Sequence, residues 1–416
     1  MTQNRLKTGY YTLEGLNAFA TAYYFYYLFF FMRDRFDYGN LENLLLSAAN
    51  GFIYMFAAFY GGRFAQRFGY FRALRVGFGT MGLALAAGAE VGSLSGQWLV
   101  MAVWTMGMCF TWPTLEALVS EGETLRTLPR RIGIYNLTWA GGSALAYFAG
   151  GALLEWLGSR SLFLVPAGLH VVQLILVQWL ERASKTLVLA SPLKDLGAPL
   201  EMPTGRYARG RAKNFQQLAW LANPFAYVAI NTIIAVIPGL AKQHDLTPMW
   251  AGFFCSLWFF ARFAVFGVLW LWPGWHYRFR WFVSAYTLLL VSFAVILLSP
   301  ALWPVLLAQV AFGAAVGLVY YSSLFYSMDV GETKGEHGGI HEAAIGAGIF
   351  GGPAMGAAAL ALFPAYAAAG AWAVAGLLLA GGVVIVGMRW RSWRRELLLD
   401  STLPSGSDFP TASSVQ

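Results

Sequence analysis

Long apolar runs, each about twenty residues or more, follow one another along most of this sequence. An α-helix rises about 1.5 Å per residue, so a run of this length is what a helix needs to cross a hydrocarbon layer about 30 Å thick. A helix also satisfies its own backbone hydrogen bonds there. We therefore predict twelve transmembrane helices, at residues 9–31, 43–62, 71–91, 96–120, 131–156, 160–180, 219–241, 248–271, 279–299, 301–328, 337–364 and 366–388.

The composition indicates that lipid, rather than water, is the main solvent of the chain. Charged residues make up 12% of it and hydrophobic residues 58%. An average soluble domain carries about 25% charged residues. The sequence thus predicts an all-α integral membrane protein.

Lys and Arg residues are distributed unevenly between the two sides of the predicted helices. If the N-terminus is cytoplasmic, most of the 28 Lys and Arg residues lie in cytoplasmic segments, as the positive-inside rule requires. We predict a multi-pass protein of the cytoplasmic (inner) membrane with both termini in the cytoplasm. The net charge of +8 then reflects topology, so we expect the lipid bilayer, and no nucleic acid, among its partners.

The hydrophobic pattern divides the chain into two halves. We predict a six-helix bundle at residues 1–180, a polar cytoplasmic linker at 181–218, a second six-helix bundle at 219–388 and an interfacial, then disordered, cytoplasmic tail at 389–416. A weak internal repeat supports this division, because residues of the first half recur in the second: Gly133, Asn136 and Gly141 correspond to Gly338, His341 and Gly346. Parallel repeats are typical of transporters. We expect a monomer.

The loop after the second predicted helix carries a recognisable pattern of glycines and basic residues. Gly62, Arg67, Gly69 and Arg72 match the loop signature of the major facilitator superfamily, which the six-plus-six arrangement also resembles, while Gln66 stands at the position of the family's Asp. The resemblance implies two six-helix bundles with pseudo-two-fold symmetry, a central cavity lined by helices 1, 4, 7 and 10, and a loop that helps to gate it. The alternative is an ordinary basic loop that follows the positive-inside rule.

Helix 11 contains closely spaced small residues. Gly348, Gly352, Pro353 and Gly356 resemble the antiporter motif of the same family, although that motif normally lies in helix 5. The alternative is a motif that only lets helices pack closely.

Ionisable and strongly polar side chains are rare within the predicted helices and usually face a cavity or a partner there. Counting from the cytoplasmic helix ends places five of them in one layer: Glu14, Glu116, Asn136, His341 and Glu342. Asn17 and Tyr320 lie on polar stripes of helices 1 and 10, and Arg262 lies a few ångströms deeper. We interpret these eight residues as candidates for binding substrate or a coupling proton, with Arg262 as counter-ion. The alternative is a structural gate between the bundles.

Several other chemistries lack the residues they need. The chain has no P-loop for nucleotide-driven pumping, and we expect no cofactor. His337 and His341 lie four residues apart, but no third ligand is evident, so we predict no metal site.

These patterns favour a secondary active transporter, and not an enzyme, that moves a small organic solute by alternating access. We expect proton coupling, with an efflux antiporter favoured over an uptake symporter. Two alternatives remain at this point: a membrane sensor or assembly protein with a transporter fold, and an intramembrane enzyme that uses His341 and Glu342 as acid and base.

Overall fold

The computed structural model describes residues 3–123, 127–190, 206–329 and 336–402, and the regular structure of this part of the chain consists of helices, without strands. The helices of the first half are α1 Gln3–Phe36, α2 Asn40–Phe68, α3 Tyr70–Gly88, α4 Leu94–Met108, α5 Trp112–Ser120, α6 Leu128–Leu157 and α7 Ser161–Ala190. Those of the second half are α8 Arg206–Gln243, α9 Pro248–Cys255, α10 Leu257–Leu271, α11 Phe279–Leu298, α12 Leu302–Asp329, α13 Glu336–Leu362 and α14 Ala369–Thr402.

Two of the crossings are made by broken helices. A turn at Cys109–Thr111 separates α4 from α5, and Ser256 separates α9 from α10. Ten segments of the described residues are long and apolar enough to span a membrane, with each broken pair counted as one. Helices α1 and α3 fall outside this group, because α1 carries a polar stripe and the first two turns of α3 contain Arg72 and Arg75. With these two, the helices give twelve crossings.

The helices extend further into the predicted linker and tail than the hydrophobic pattern indicates. α7 continues to Ala190 and α8 begins at Arg206, so helices enter the predicted linker, residues 181–218, from both ends. α14 runs on to Thr402 through the stretch predicted to lie at the interface. The centre of the predicted linker, residues 191–205, and the predicted disordered tail, residues 403–416, lie outside the described residues.

The two halves meet mainly at the contact of the second crossing with the eleventh and of the fifth with the eighth, and α8 also contacts α1 and α2. α2 packs against α13, and α6 packs against α9 and α10. Glycines allow the backbones to approach: a β-carbon added at Gly346 of α13 would lie 2.6 Å from Cα of Met55, and one added at Gly151 of α6 would lie 2.7 Å from Cα of Met249. Because real β-carbons do not come this close to backbone atoms, these contacts need a residue without a side chain.

We call the end of the bundles that holds the start of α1 the terminal side, and the opposite end the far side. On the terminal side, Lys7 is 3% exposed and its Nζ donates hydrogen bonds to the carbonyl oxygens of Leu118, Val119 and Glu121, at 3.0, 2.8 and 2.6 Å. These are among the last carbonyls of α5, which lack partners within the helix. Lys7 therefore caps α5 and ties it to α1.

Candidate functional site

A cavity of about 140 Å³ lies between the two halves. Its walls come from α1, α4, α8 and α12, the first, fourth, seventh and tenth crossings, and also from α2, α5, α6, α10 and α13. One water molecule needs roughly 10–15 Å³ of such space, so the cavity has room for a small solute. Aromatic side chains form much of the wall, among them Tyr26, Tyr54, Trp112, Trp139, Tyr227 and Tyr320.

Arg262 lies at one side of this cavity, within an aromatic box. Its guanidinium carbon is 4.5 Å from the ring centre of Trp139, 5.0 Å from that of Trp258 and 5.2 Å from that of Phe259. Such contacts attract a cation to the face of the ring. The hydroxyl of Tyr26 is the polar group that interacts with the guanidinium.

Glu342 lies on α13 at another part of the cavity wall, where the hydroxyl of Tyr54 donates a hydrogen bond to its Oε2. The two residues come from opposite halves of the chain, α13 and α2. Glu342 is 7% exposed. This hydrogen bond is thus a polar contact across the interface between the bundles.

Glu14 and Glu116 lie near Glu342 but do not line the cavity. The three carboxyl groups are within electrostatic range of one another, and the hydroxyl of Tyr135 lies beside Glu14. Both carboxyl oxygens of Glu14 are buried without a hydrogen bond of good geometry. The structure therefore gathers the three intramembrane carboxyl groups of α1, α5 and α13 on the terminal side of the cavity.

The sequence leaves Glu342, Glu116 and Glu14 open as partners of Arg262, and within the described residues Arg262 makes no ion pair with any carboxylate. Arg262 therefore has no carboxylate partner in this conformation, and its interpretation as counter-ion stays a prediction. Arg262 points into the aromatic box, because its cation contacts three ring faces there. Both residues still line one cavity.

The uncharged candidates make local contacts around this site. Nδ2 of Asn17 donates to Thr111 Oγ1 at 3.4 Å, at the break between α4 and α5. Oδ1 of Asn136 accepts from the Trp139 indole at 3.0 Å. His341 Nδ1 lies 3.5 Å from the Ser323 hydroxyl, and its Nε2 is buried without a partner. Of the eight predicted candidates, Arg262, Tyr320 and Glu342 line the cavity.

Sequence reasoning missed several cavity residues. Tyr54, Trp139 and Tyr26 surround the two charged groups, and Asn50 lines the wall while its Nδ2 donates to Thr105 Oγ1 at 2.6 Å. Aromatic residues make up 17% of the chain, so their type alone does not single out those that face a cavity. A polar Asn50 within an apolar run was the signal available for α2.

The predicted gating loop forms the tight turn between α2 and α3. Gly69 has a φ of +94°, a conformation that side chains disfavour. Arg67 and Arg72 lie over the ring of Phe68, at 5.3 and 5.7 Å, and Gln66 is exposed.

The glycine motif of α13 lies against two other helices. A β-carbon added at Gly348 would lie 2.8 Å from Tyr227 Cβ, and one at Gly352 would lie 2.7 Å from Thr232 Oγ1, both on α8. Gly356 faces Leu44 of α2. The buried Pro353 follows Gly352. These contacts support the packing interpretation of the motif.

Groups of His, Cys, Asp or Glu suited to a metal ion are absent from the described part of the chain. His337 has no described side chain, so the candidate pair of His337 and His341 lies partly outside it.

Comparison with known proteins identifies the fold. The bacterial homologue of the human lysosomal transporter Spinster is similar in structure, with a TM-score of 0.63 and 14% identity over 97% of this chain and 100% of that one. The nucleoside transporter NupG gives 0.63 and 13%, over 92% and 98% of the chains. The human organic anion transporter MFSD10 gives 0.65 and 12%, over 92% and 100%.

No curated protein sequence matches the chain significantly. The sequence profile described as Major Facilitator Superfamily, however, matches residues 15–353, which is most of the chain. This match and the shared fold confirm both the predicted family and the predicted all-α membrane fold. The chain belongs to the major facilitator superfamily of membrane transporters.

Proposed function

We propose that this protein is a secondary active transporter that moves a small organic solute through the central cavity and couples its movement to protons. The observation that carries the proposal is the cavity between the two bundles, with Glu342 in its wall and Glu14 and Glu116 beside it. Buried carboxyl groups in membranes are costly and commonly form proton relays. Alternating access would expose them to each side in turn.

Glu342 is the best placed of the three to link substrate and proton. It lines the cavity and bonds to Tyr54 across the bundle interface, so a change in its protonation would act on both the site and the contact between the halves. We assign it the coupling proton. Glu14 and Glu116 then act as neighbours that relay protons to the terminal side.

For the direction of transport, we favour exchange, in which inward proton movement drives solute export. The support is the resemblance of the α13 glycines to an antiporter motif, beside their packing role. We further propose that both termini are cytoplasmic in the inner membrane, from the distribution of Lys and Arg.

The experiment uses proteoliposomes that contain a pH-sensitive dye. A panel of organic acids, nucleosides and amines is added, and the direction of the pH change distinguishes exchange from symport. Labelled members that move protons are then tested for accumulation under a pH gradient and for exchange without one. We expect Glu342→Gln to abolish gradient-driven accumulation and to keep exchange, because exchange moves no net proton.

The matched control is Glu90→Gln. Glu90 is an exposed carboxylate, 69% accessible, that pairs with Arg160 on the far side. Its replacement should therefore change neither gradient-driven accumulation nor exchange. Accumulation that survives in Glu342→Gln would move the coupling role to Glu14 or Glu116. A panel that stabilises the protein without any solute movement would instead identify a sensor with a transporter fold.

A further inference from the structure

The positive charge of Arg262 is balanced by no carboxylate of the described residues. Arg262 is 4% exposed, its Nε is buried without a hydrogen bond, and it stays charged at any physiological pH. A buried charge is normally paired, because removing it from water costs a large amount of free energy. Ring faces and a phenol compensate part of this cost. They leave the hydrogen-bonding edge of the guanidinium without an anion.

The three carboxyl groups do not fill this role. Glu342 is engaged by Tyr54, and the charges that act on Glu14 and Glu116 come from other carboxyl groups and not from Arg262. The ionisable groups nearest to Arg262 are instead the phenols of Tyr26, Tyr227 and Tyr320, which are neutral at physiological pH. The cavity thus has two separate polar regions, one built around Arg262 and one around Glu342.

We propose that the cavity binds a small soluble organic anion, with a carboxylate-type group on Arg262 and a flat aromatic or apolar body against the neighbouring rings. This inference rests on the proposed function, since it names the substrate class of the same site. A guanidinium presents paired N–H groups that match the two oxygens of a carboxylate. The substrate would supply the missing counter-ion.

The surroundings of Arg262 fit the body of such a molecule. Trp139 stacks near the guanidinium and also contacts Trp112 and Tyr320, with ring centres 6.3 and 5.3 Å away. These rings line the cavity and offer a continuous aromatic wall beside the cation. Among the described residues that line the cavity, Glu342 is the one acidic group that could pair with an organic cation, and it already accepts a hydrogen bond.

The test measures binding to the purified full-length protein in detergent, without a gradient. The probes are matched triplets with one ring system and three charges: benzoate, benzamide and benzylammonium, then 2-naphthoate with its amide and its amine. The readouts are the unfolding temperature and the quenching of tryptophan fluorescence, since Trp139 and Trp258 flank Arg262. We expect the carboxylates to stabilise and quench, and the amides and amines to do neither.

Variants assign this binding to Arg262. Arg262→Gln should weaken carboxylate binding by about 30-fold or more, the factor expected when a buried charge pair loses one member. Arg262→Lys keeps the positive charge but loses the planar guanidinium, so it should retain an intermediate affinity. This variant replaces Arg262→Gln in the test if the Gln variant folds poorly. The matched control is Arg280→Gln, because Arg280 also lies over an indole, that of Trp281 at 5.8 Å, but outside the cavity.

Three results would overturn the proposal. These are stabilisation by the amines, stabilisation by carboxylates that persists in Arg262→Gln and Arg262→Lys, and no response to any carboxylate. The anionic lipid phosphatidylglycerol is tested as a further probe. A response to this lipid that depends on Arg262, without a response to soluble carboxylates, would assign the site to a lipid headgroup and also reject the proposal. Carboxylate binding without transport would leave this inference standing and contradict the proposed function alone.

Discussion

At the scale of single residues, the site contains two ionisable side chains, Arg262 and Glu342, that line one cavity but make no ion pair with each other. Arg262 contacts Trp139 and Trp258, whereas Glu342 accepts a hydrogen bond from Tyr54. Each charge is therefore held by aromatic neighbours of its own. This separation leaves room for a substrate anion at one region and for a proton at the other.

Two double-mutant cycles test this separation. Residues in contact typically couple by about 0.5 to 3 kcal/mol, while the effects of independent residues add within about 0.5 kcal/mol. We expect Tyr54→Phe and Glu342→Gln to be non-additive in unfolding free energy, since both act on the same hydrogen bond: Phe lacks the donor, and Gln offers a weaker, neutral acceptor. Arg262→Ala and Glu342→Gln should add. Strong coupling in the second cycle would show that these two residues form an ion pair in another populated conformation.

At the scale of helices, the buried cation Lys7 links helices of the first half on the terminal side. Lys7 on α1 donates to three carbonyls at the end of α5 and lies 3.6 Å from Glu123. Arg131, near the start of α6, pairs with the same carboxylate at 3.1 Å. The cluster thus joins the first, fourth and fifth crossings.

Replacement of Lys7 by Met should lower the unfolding free energy by about 3 kcal/mol, because it leaves three carbonyls at the end of α5 without their donor and removes one of the two cations beside Glu123. The matched control is Lys185→Met, which removes an exposed pair with Glu181 within α7. Exposed pairs contribute about 0 to 1 kcal/mol. Unfolding in detergent by increasing denaturant measures both. Equal effects would show that the Lys7 contacts do not stabilise the bundle.

The turn between α2 and α3 offers a second test at this scale. Gly69 has a φ of +94° and open space around it, so Gly69→Ala should destabilise by about 1–3 kcal/mol through backbone strain alone. Gly79, in the middle of α3, also has open space but ordinary helical backbone. There Ala should stabilise by up to about 1 kcal/mol. If both substitutions shift the unfolding temperature in one direction, the turn is not as described.

For the molecule as a whole, the number and positions of the crossings could be predicted from the sequence, because apolar length determines them. The helix ends near Ala190 and Arg206 could not, since hydropathy falls at the membrane surface while backbone hydrogen bonds continue. Glu342 and Arg262 were found because charges are rare in lipid. That the two groups lie apart could not be predicted, because it depends on aromatic contacts between distant parts of the sequence: Trp139 contacts Arg262, and Tyr54 bonds to Glu342.

Close backbone contacts between the two halves limit how the bundles can move. Gly51 lies in the part of α2 toward the far side, and a side chain there would overlap the backbone of Ile349 and Phe350 in α13. Gly151 and Pro248 make a similar approach between α6 and α9. Both contacts join opposite halves, so opening toward the far side requires them to part.

Gly51→Leu should therefore shift the population toward the state that is open on the far side. A single cysteine placed at Ser143, which lines the cavity and is 4% exposed, reports this state through labelling by a membrane-impermeant maleimide added on the far side. The cysteine is introduced after replacement of Cys109 and Cys255. The matched control is Gly168→Leu in α7, where a β-carbon meets no atom within 4 Å. We expect faster labelling with Gly51→Leu and unchanged labelling with Gly168→Leu. Labelling that stays slow in both variants would mean that α2 and α13 remain in contact when the far side opens, and the moving interface would then be sought between α6 and α9.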